Sequence, residues 1–112
     1  MLGLAWRPSA RRRLDHLILI QYIADRDRAA AARLSARILE AIRMAREHPE
    51  MYRVGRMPNT REIVAHPNYI VVYTVLPDRI RVVSVLHARQ KYPWPARIIP
   101  SLSRIVETRQ SR

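Results

Sequence analysis

What most constrains this chain is a change of period part-way along it. Up to residue 48 the apolar residues recur every three or four positions, and from residue 61 they fall in short β-branched runs, the marks of helices and of strands respectively. Residues 49–59, with Pro49, Gly55 and Pro58 and no period, read as the loop between the two halves. Such a chain has to lay a helical layer on a sheet.

In the helical half, Pro8-Ser9 ends a short strand over residues 2–7 and offers an N-cap, so a helix is expected from about Ala10 to Ala24. Leu14, Leu17, Ile18, Gln21 and Tyr22 draw its inner face, while Arg11, Arg12, Asp15 and Arg26 sit mostly away from it. Asp25-Arg26-Asp27 is too short a joint for anything but a helical hairpin, and Asp27 is placed to cap the second helix. Leu34, Ile38, Ala41, Ile42 and Ala45 carry that helix to His48-Pro49, and the alanines at 29–32 allow close approach of the pair. Strands are expected at 61–64, 69–75 and 80–86, with turns at His66-Pro67-Asn68 and Leu76-Pro77-Asp78-Arg79. These three make an antiparallel meander. Ile98, Ile99, Leu102, Ile105 and Val106 then recur at helical spacing, giving a short amphipathic helix after Pro100. The fold class is therefore α+β, an N-terminal strand and a helical hairpin packed on a small antiparallel sheet. The 112 residues suit one core.

Composition narrows the function. The 21 basic residues against 9 acidic ones leave a net charge of +12, which calls for an anionic partner. Of those basic residues only Lys91 is a lysine; a GC-rich genome favours arginine codons, and arginine also suits forked contacts to phosphate or carboxylate. The absence of cysteine excludes disulfides, thiolate metal sites and thiol nucleophiles. With only Gly3 and Gly55, no glycine-rich phosphate loop is available, and no metal-ligand spacing stands out. No cofactor and no metal are expected. The N-terminal stretch carries arginines without an apolar core, and Leu17–Ile20 is far too short to span a bilayer. A cytoplasmic chain with no membrane partner is expected.

The richest cluster runs from Val85 to Pro93, where a strand ends and His87, Arg89, Lys91 and Tyr92 begin. If Arg61 lies beside His87 and Arg89 across the meander, two guanidinium groups, an imidazole and a phenol come together. Metal-free RNA cleavage needs such a set: a base for the 2′-hydroxyl, cations for the phosphorane charge and an acid for the leaving oxygen. His87 can equally be a strand-end histidine bonded to backbone. His16, His48 and His66 are assigned no chemistry, and Asp15, Asp25, Asp27, Glu40 and Glu47 read as solvated hairpin positions. Trp94, between two prolines, reads as a cap on the core.

The order and spacing of several pieces resemble the RelE/ParE superfamily of bacterial type II toxins. The pieces are Trp6-Arg7-Pro8-Ser9-Ala10, Tyr22-Ile23-Ala24, Ala30-Ala31-Ala32-Arg33-Leu34, His48-Pro49, Thr60-Arg61-Glu62, Tyr69–Tyr73 and Val85-Leu86-His87-Ala88-Arg89. The resemblance covers residues 4 to 95, within a toxin domain of residues 1–95 followed by a basic extension, 96–112. It implies a toxin of a growth-inhibiting, plasmid-stabilising kind that forms a hetero-oligomer with a cognate acidic antitoxin. The superfamily splits by target. A RelE-like chain would be a ribosome-dependent, metal-independent mRNA endoribonuclease, with Arg61 on phosphate, His87 or Tyr92 as acid and Arg89 at the transition state. A ParE-like chain would inhibit DNA gyrase without a catalytic centre. Arg53, Arg56 and Lys91 are expected to contact the target or nucleic acid in either case. The long alanine-rich hairpin and the Leu-His-Ala-Arg strand end look more like the ParE branch. A rival from another class is a non-toxic nucleic-acid-binding module using the basic surface alone.

Overall fold

In the computed structural model, which describes residues 1–88, seven elements follow one another: β1 (Gly3–Trp6), α1 (Pro8–Asp25), α2 (Arg28–Glu47), β2 (Arg53–Val54), β3 (Arg61–His66), β4 (Tyr69–Val75) and β5 (Arg79–His87). The five strands form one sheet in the order β1-β5-β4-β3-β2. β3, β4 and β5 are the expected antiparallel meander. β1 joins it at the far edge, parallel to β5, with Leu4 opposite Ile80 and Trp6 opposite Val82. A parallel pairing needs a long connection, and the hairpin lies within it.

α1 starts earlier than its sequence suggests. Pro8 occupies the first helical position and Arg7 is the cap residue, with no side-chain hydrogen bond; Ser9, expected as the cap, is already inside the helix. Proline suits that position because its missing N–H would have no helical partner and its φ is already set. At the other end Arg26 turns left-handed at φ 51° and donates its N–H to the Tyr22 carbonyl, which closes the helix. Asp27 then caps α2 as expected, accepting from the Ala30 N–H at 3.0 Å. The helix stops before Pro49, which has no N–H to continue it.

Both helices pack on one face of the sheet. Ala10, Leu14 and Leu17 of α1 and Leu34, Ile38, Ile42 and Ala45 of α2 meet Ile63, Val71, Tyr73, Ile80, Val82 and Val85, with Leu4 and Trp6 partly covered at the edge. Burial along α1 stops at Leu17: Ile18 and Gln21 are half-buried, and Tyr22, expected inside, is exposed. The opposite face carries a second small cluster of Ile70, Val72 and Leu86 with Val83. β4 is thus buried on both faces from Tyr69 to Tyr73, which is why it reads as an unbroken apolar run where a half-exposed strand would alternate.

The strands at 61–64 and 80–86 are longer than expected, and β2 lies inside the expected loop. β2 pairs only at Arg53–Glu62 and Val54–Arg61, too few residues to leave a period. The turn that follows is closed by the Gly55 N–H donating to the Thr60 carbonyl at 2.7 Å and by the Thr60 hydroxyl donating to the Met57 carbonyl. Only glycine fits position 55, since a Cβ there would stand 2.2 Å from the Thr60 hydroxyl oxygen. Asn59 supplies the left-handed residue, φ 63°. The amphipathic helix expected after Pro100, Trp94 and the boundary at residue 95 lie outside the described residues. Among the described residues no helix is long and apolar enough to cross a membrane.

Candidate functional site

Three surfaces carry the polar and exposed apolar groups that a partner would meet. The first is the loop over the β2–β3 end of the sheet. Tyr73 is fully buried, and its hydroxyl donates to the Pro49 carbonyl at 2.6 Å; burial pushes that phenol up to about 12, so it stays a donor at neutral pH. The Tyr52 ring meets Tyr73 edge-on at 6.5 Å. Arg61 donates to the Tyr52 carbonyl at 2.7 Å and reaches the Glu50 carbonyl at 3.4 Å. These contacts hold residues 49–52, of which Pro49, Glu50 and Met51 line a shallow open depression together with His48. Replacing Tyr73 by Phe removes the donor and leaves a carbonyl without it. We expect a loss of about 1–2 kcal/mol in denaturant unfolding, with the slope of the transition unchanged.

Beside it stands Glu62, whose side chain is only 2% exposed. It accepts from the Arg53 guanidinium at 2.9 Å, from the Arg56 guanidinium at 3.2 Å and from the Arg56 backbone N–H at 3.1 Å. Burial pushes the carboxyl up, but the bonds from Arg56, and then Arg53, outweigh it and hold the group below the usual carboxylate range. Arg53 and Arg56 are themselves about half-exposed, so each guanidinium is both anchored and presented.

The second surface is the other end of the same strands. Tyr69 lies between two histidines, with ring centroids 5.6 Å from His66 and 5.3 Å from His87. Its hydroxyl donates to Gln21 of α1 at 3.2 Å, and the Gln21 amide donates to Asp25. Burial, with Asp25 nearby, raises the Tyr69 phenol above its ordinary range. This chain of contacts ties the end of α1 to the sheet.

The third is the outer face of α1. Leu19, Ile20 and Ile23 are 54%, 48% and 58% exposed and, at three- and four-residue spacing, form one continuous apolar strip. Arg12 and His16 precede it at helical spacing and Arg26 follows it, all exposed.

Of the positions that RNA cleavage would need side by side, Arg61 and His87 are apart. Arg61 pairs with Tyr73 and His87 pairs with Tyr69, four residues apart on β4 or about 13 Å along the strand. Arg61 is engaged with loop carbonyls, and His87 packs on Tyr69. Arg53 and Arg56, by contrast, are brought together by Glu62. Arg89, Lys91 and Tyr92 lie outside the described residues. Sequence reasoning missed Glu62, whose only signal was an acidic residue alternating with Ile63 in a strand, where one of the two must face away from the helices. It also missed the roles of Tyr69 and Tyr73, hidden in an apolar run. The hairpin acids are surface groups as expected, in exposed pairs such as Arg11–Asp15 and Arg43 with Glu40 and Glu47, which add little stability.

Comparison with known proteins decides the family. Residues 4–92 match the model of the ParE toxin of the type II toxin–antitoxin system, parDE. The chain belongs to the ParE toxin family. It is 40% identical over 89 residues to the Sinorhizobium fredii protein named "Putative toxin Y4kP", covering 79% of this chain and 90% of that one. The fold is also that of a structure described as the chromosomal ParDE toxin–antitoxin system from P. aeruginosa, with a TM-score of 0.67 at 17% identity, covering 78% of this chain and 96% of the other. The α+β architecture read from the sequence and the resemblance to the ParE branch both hold. The chain is a type II toxin of the ParDE kind.

Proposed function

We propose that this ParE-family toxin stops growth by poisoning DNA gyrase and is silenced by a cognate acidic antitoxin that folds onto it. The membership of residues 4–92 in the ParE family carries this reading. The separation of Arg61 from His87 also supports it, because RNA cleavage of the RelE kind would need base, cation and acid within reach of one phosphate.

The antitoxin segment is an acidic, amphipathic helix that covers Leu19, Ile20 and Ile23. An exposed apolar strip with Arg12 and His16 at one end and Arg26 at the other matches a helix with apolar anchors between acidic residues. The net charge of +12 favours the same partner and speeds its capture. Such a segment gains its structure on the surface it covers.

A gyrase supercoiling and cleavage assay with the full, antitoxin-free chain tests the target. Inhibition, relieved by adding the acidic protein encoded beside the toxin, is the expected result. Supercoiling unchanged at micromolar toxin, with ribosome-bound mRNA cut instead, would overturn the gyrase reading.

A further inference from the structure

The β3–β4 turn contains a hydrogen bond that only one protonation state of histidine can make. The Asn68 backbone N–H donates to Nδ1 of His66 at 3.0 Å. An Asn or Asp at position 66 would close this turn with its side-chain oxygen, as such residues do two residues ahead in Asx turns; here a titrating imidazole nitrogen takes the oxygen's place. Once protonated, Nδ1 carries a hydrogen and faces the N–H as a second donor. The turn then loses its side-chain acceptor.

The turn leads directly into Tyr69, whose ring contacts those of His66 and His87 and whose hydroxyl holds Gln21 and, through it, Asp25 at the end of α1. We propose that His66 is a pH-sensitive latch, in which protonation of Nδ1 breaks the Asn68 bond and loosens the attachment of the hairpin end to the sheet. The charged and titratable surroundings favour the neutral, closed form. Arg37 of α2 is the cation that acts on His66, Tyr69 of β4 keeps its proton, and His87 of β5 stands across the Tyr69 ring. The one nearby carboxylate in this chain of contacts, Asp25, is engaged with Gln21 and separated from His66 by Tyr69. Burial and then Arg37 lower the His66 proton affinity below that of a free imidazole.

The sign follows. A histidine whose folded-state pKa is depressed contributes stability that is complete above about pH 6.5 and is lost as pH falls through the folded-state value. Each unit of depression amounts to about a tenfold fall in the folding constant on acidification. The latch is a property of the fold and does not depend on what the toxin acts on.

Two measurements on the full chain test it. In an NMR titration of the wild-type protein from pH 7.5 to 5, the His66 ring should titrate with a midpoint below 6.5, and the Asn68 amide proton should shift upfield with the same midpoint. In parallel, the folding constants at pH 7.5 and 5 are compared for wild type and His66→Asn. Asparagine keeps an acceptor for Asn68 and does not titrate, so the variant should lose severalfold less stability on acidification. An Asn68 amide that does not follow His66, or a His66→Asn chain with the wild-type loss, overturns the proposal. The wild-type titration decides the matter even if the variant fails to fold.

Discussion

Removing both arginine partners of Glu62 will cost more stability than removing Glu62 itself. In the double variant Arg53→Ala/Arg56→Ala, a carboxylate now only 2% exposed keeps the Arg56 backbone N–H and loses both guanidinium groups. Stranding a buried charge typically costs about 3–5 kcal/mol. The lower figure, about 3 kcal/mol, is expected here because truncating two half-exposed side chains admits water to the carboxylate. For a domain of this size that lowers Tm by about 12–20 °C. Glu62→Gln keeps an acceptor for the Arg56 N–H and leaves two arginines that water can solvate, so about 1 kcal/mol is expected. The pH dependence separates the two effects. In the wild-type chain the Glu62 carboxyl lies below its ordinary value, so its contribution is complete above about pH 4.5 and is lost as pH falls through the folded-state value. In the double variant burial acts without the guanidinium groups, the carboxyl moves up, and acidification relieves the strain. Thermal unfolding at pH 7 and pH 4 measures both. Equal losses in the two variants at pH 7 would overturn the expected extra cost of leaving the buried carboxylate without its guanidinium partners.

Placing charge on the outer face of α1 is expected to abolish antitoxin capture without unfolding the toxin. Leu19, Ile20 and Ile23 contribute nothing to the buried core, so Ile20→Asp/Ile23→Asp should change Tm by only a few degrees. At an interface the same change buries carboxylates against apolar anchors and sets them against an acidic partner. The loss should exceed about 100-fold in Kd, the equivalent of a pair of hot-spot residues. Binding is measured by calorimetry with the purified antitoxin. Retention of affinity within threefold would exclude this strip as the docking surface. Gyrase inhibition by the same variant asks a separate question, since target and antitoxin need not share a face.

Tyr73→Phe and His66→Asn test local fastenings of the same sheet at opposite ends, and their effects should add because the two sites share no partner.

Much of this fold was legible because it rests on periodicity. The stripe Leu34, Ile38, Ile42, Ala45 specifies a buried helical face before anything else is known, and Asp27 and Pro49 mark the ends of that helix by the hydrogen bonds they make or refuse. The candidate site was less legible. Arg61 and His87 both sit near strand ends, but a meander reverses direction at every turn, so two such residues share an end only if the register brings them there. Glu62 illustrates the same gap. Its alternation with Ile63 places it on the face away from the helices, yet its ion-pair partners are Arg53 and Arg56 of the preceding segment, whose short strand β2 has no period.

By itself the sequence determined the element types, the hairpin, the meander, the basic character and, through ordered local motifs, the family. These are encoded in near neighbours, where spacing fixes geometry. Only the tertiary structure decided that β1 closes the far edge in parallel, that Glu62 gathers two arginines, that Tyr69 links His66 and His87 to α1, and that Leu19, Ile20 and Ile23 remain uncovered. Each joins residues distant along the chain, or turns on which of two apolar faces finds a neighbour. Those outcomes depend on how the layers dock, and a one-dimensional pattern of polar and apolar residues does not carry them.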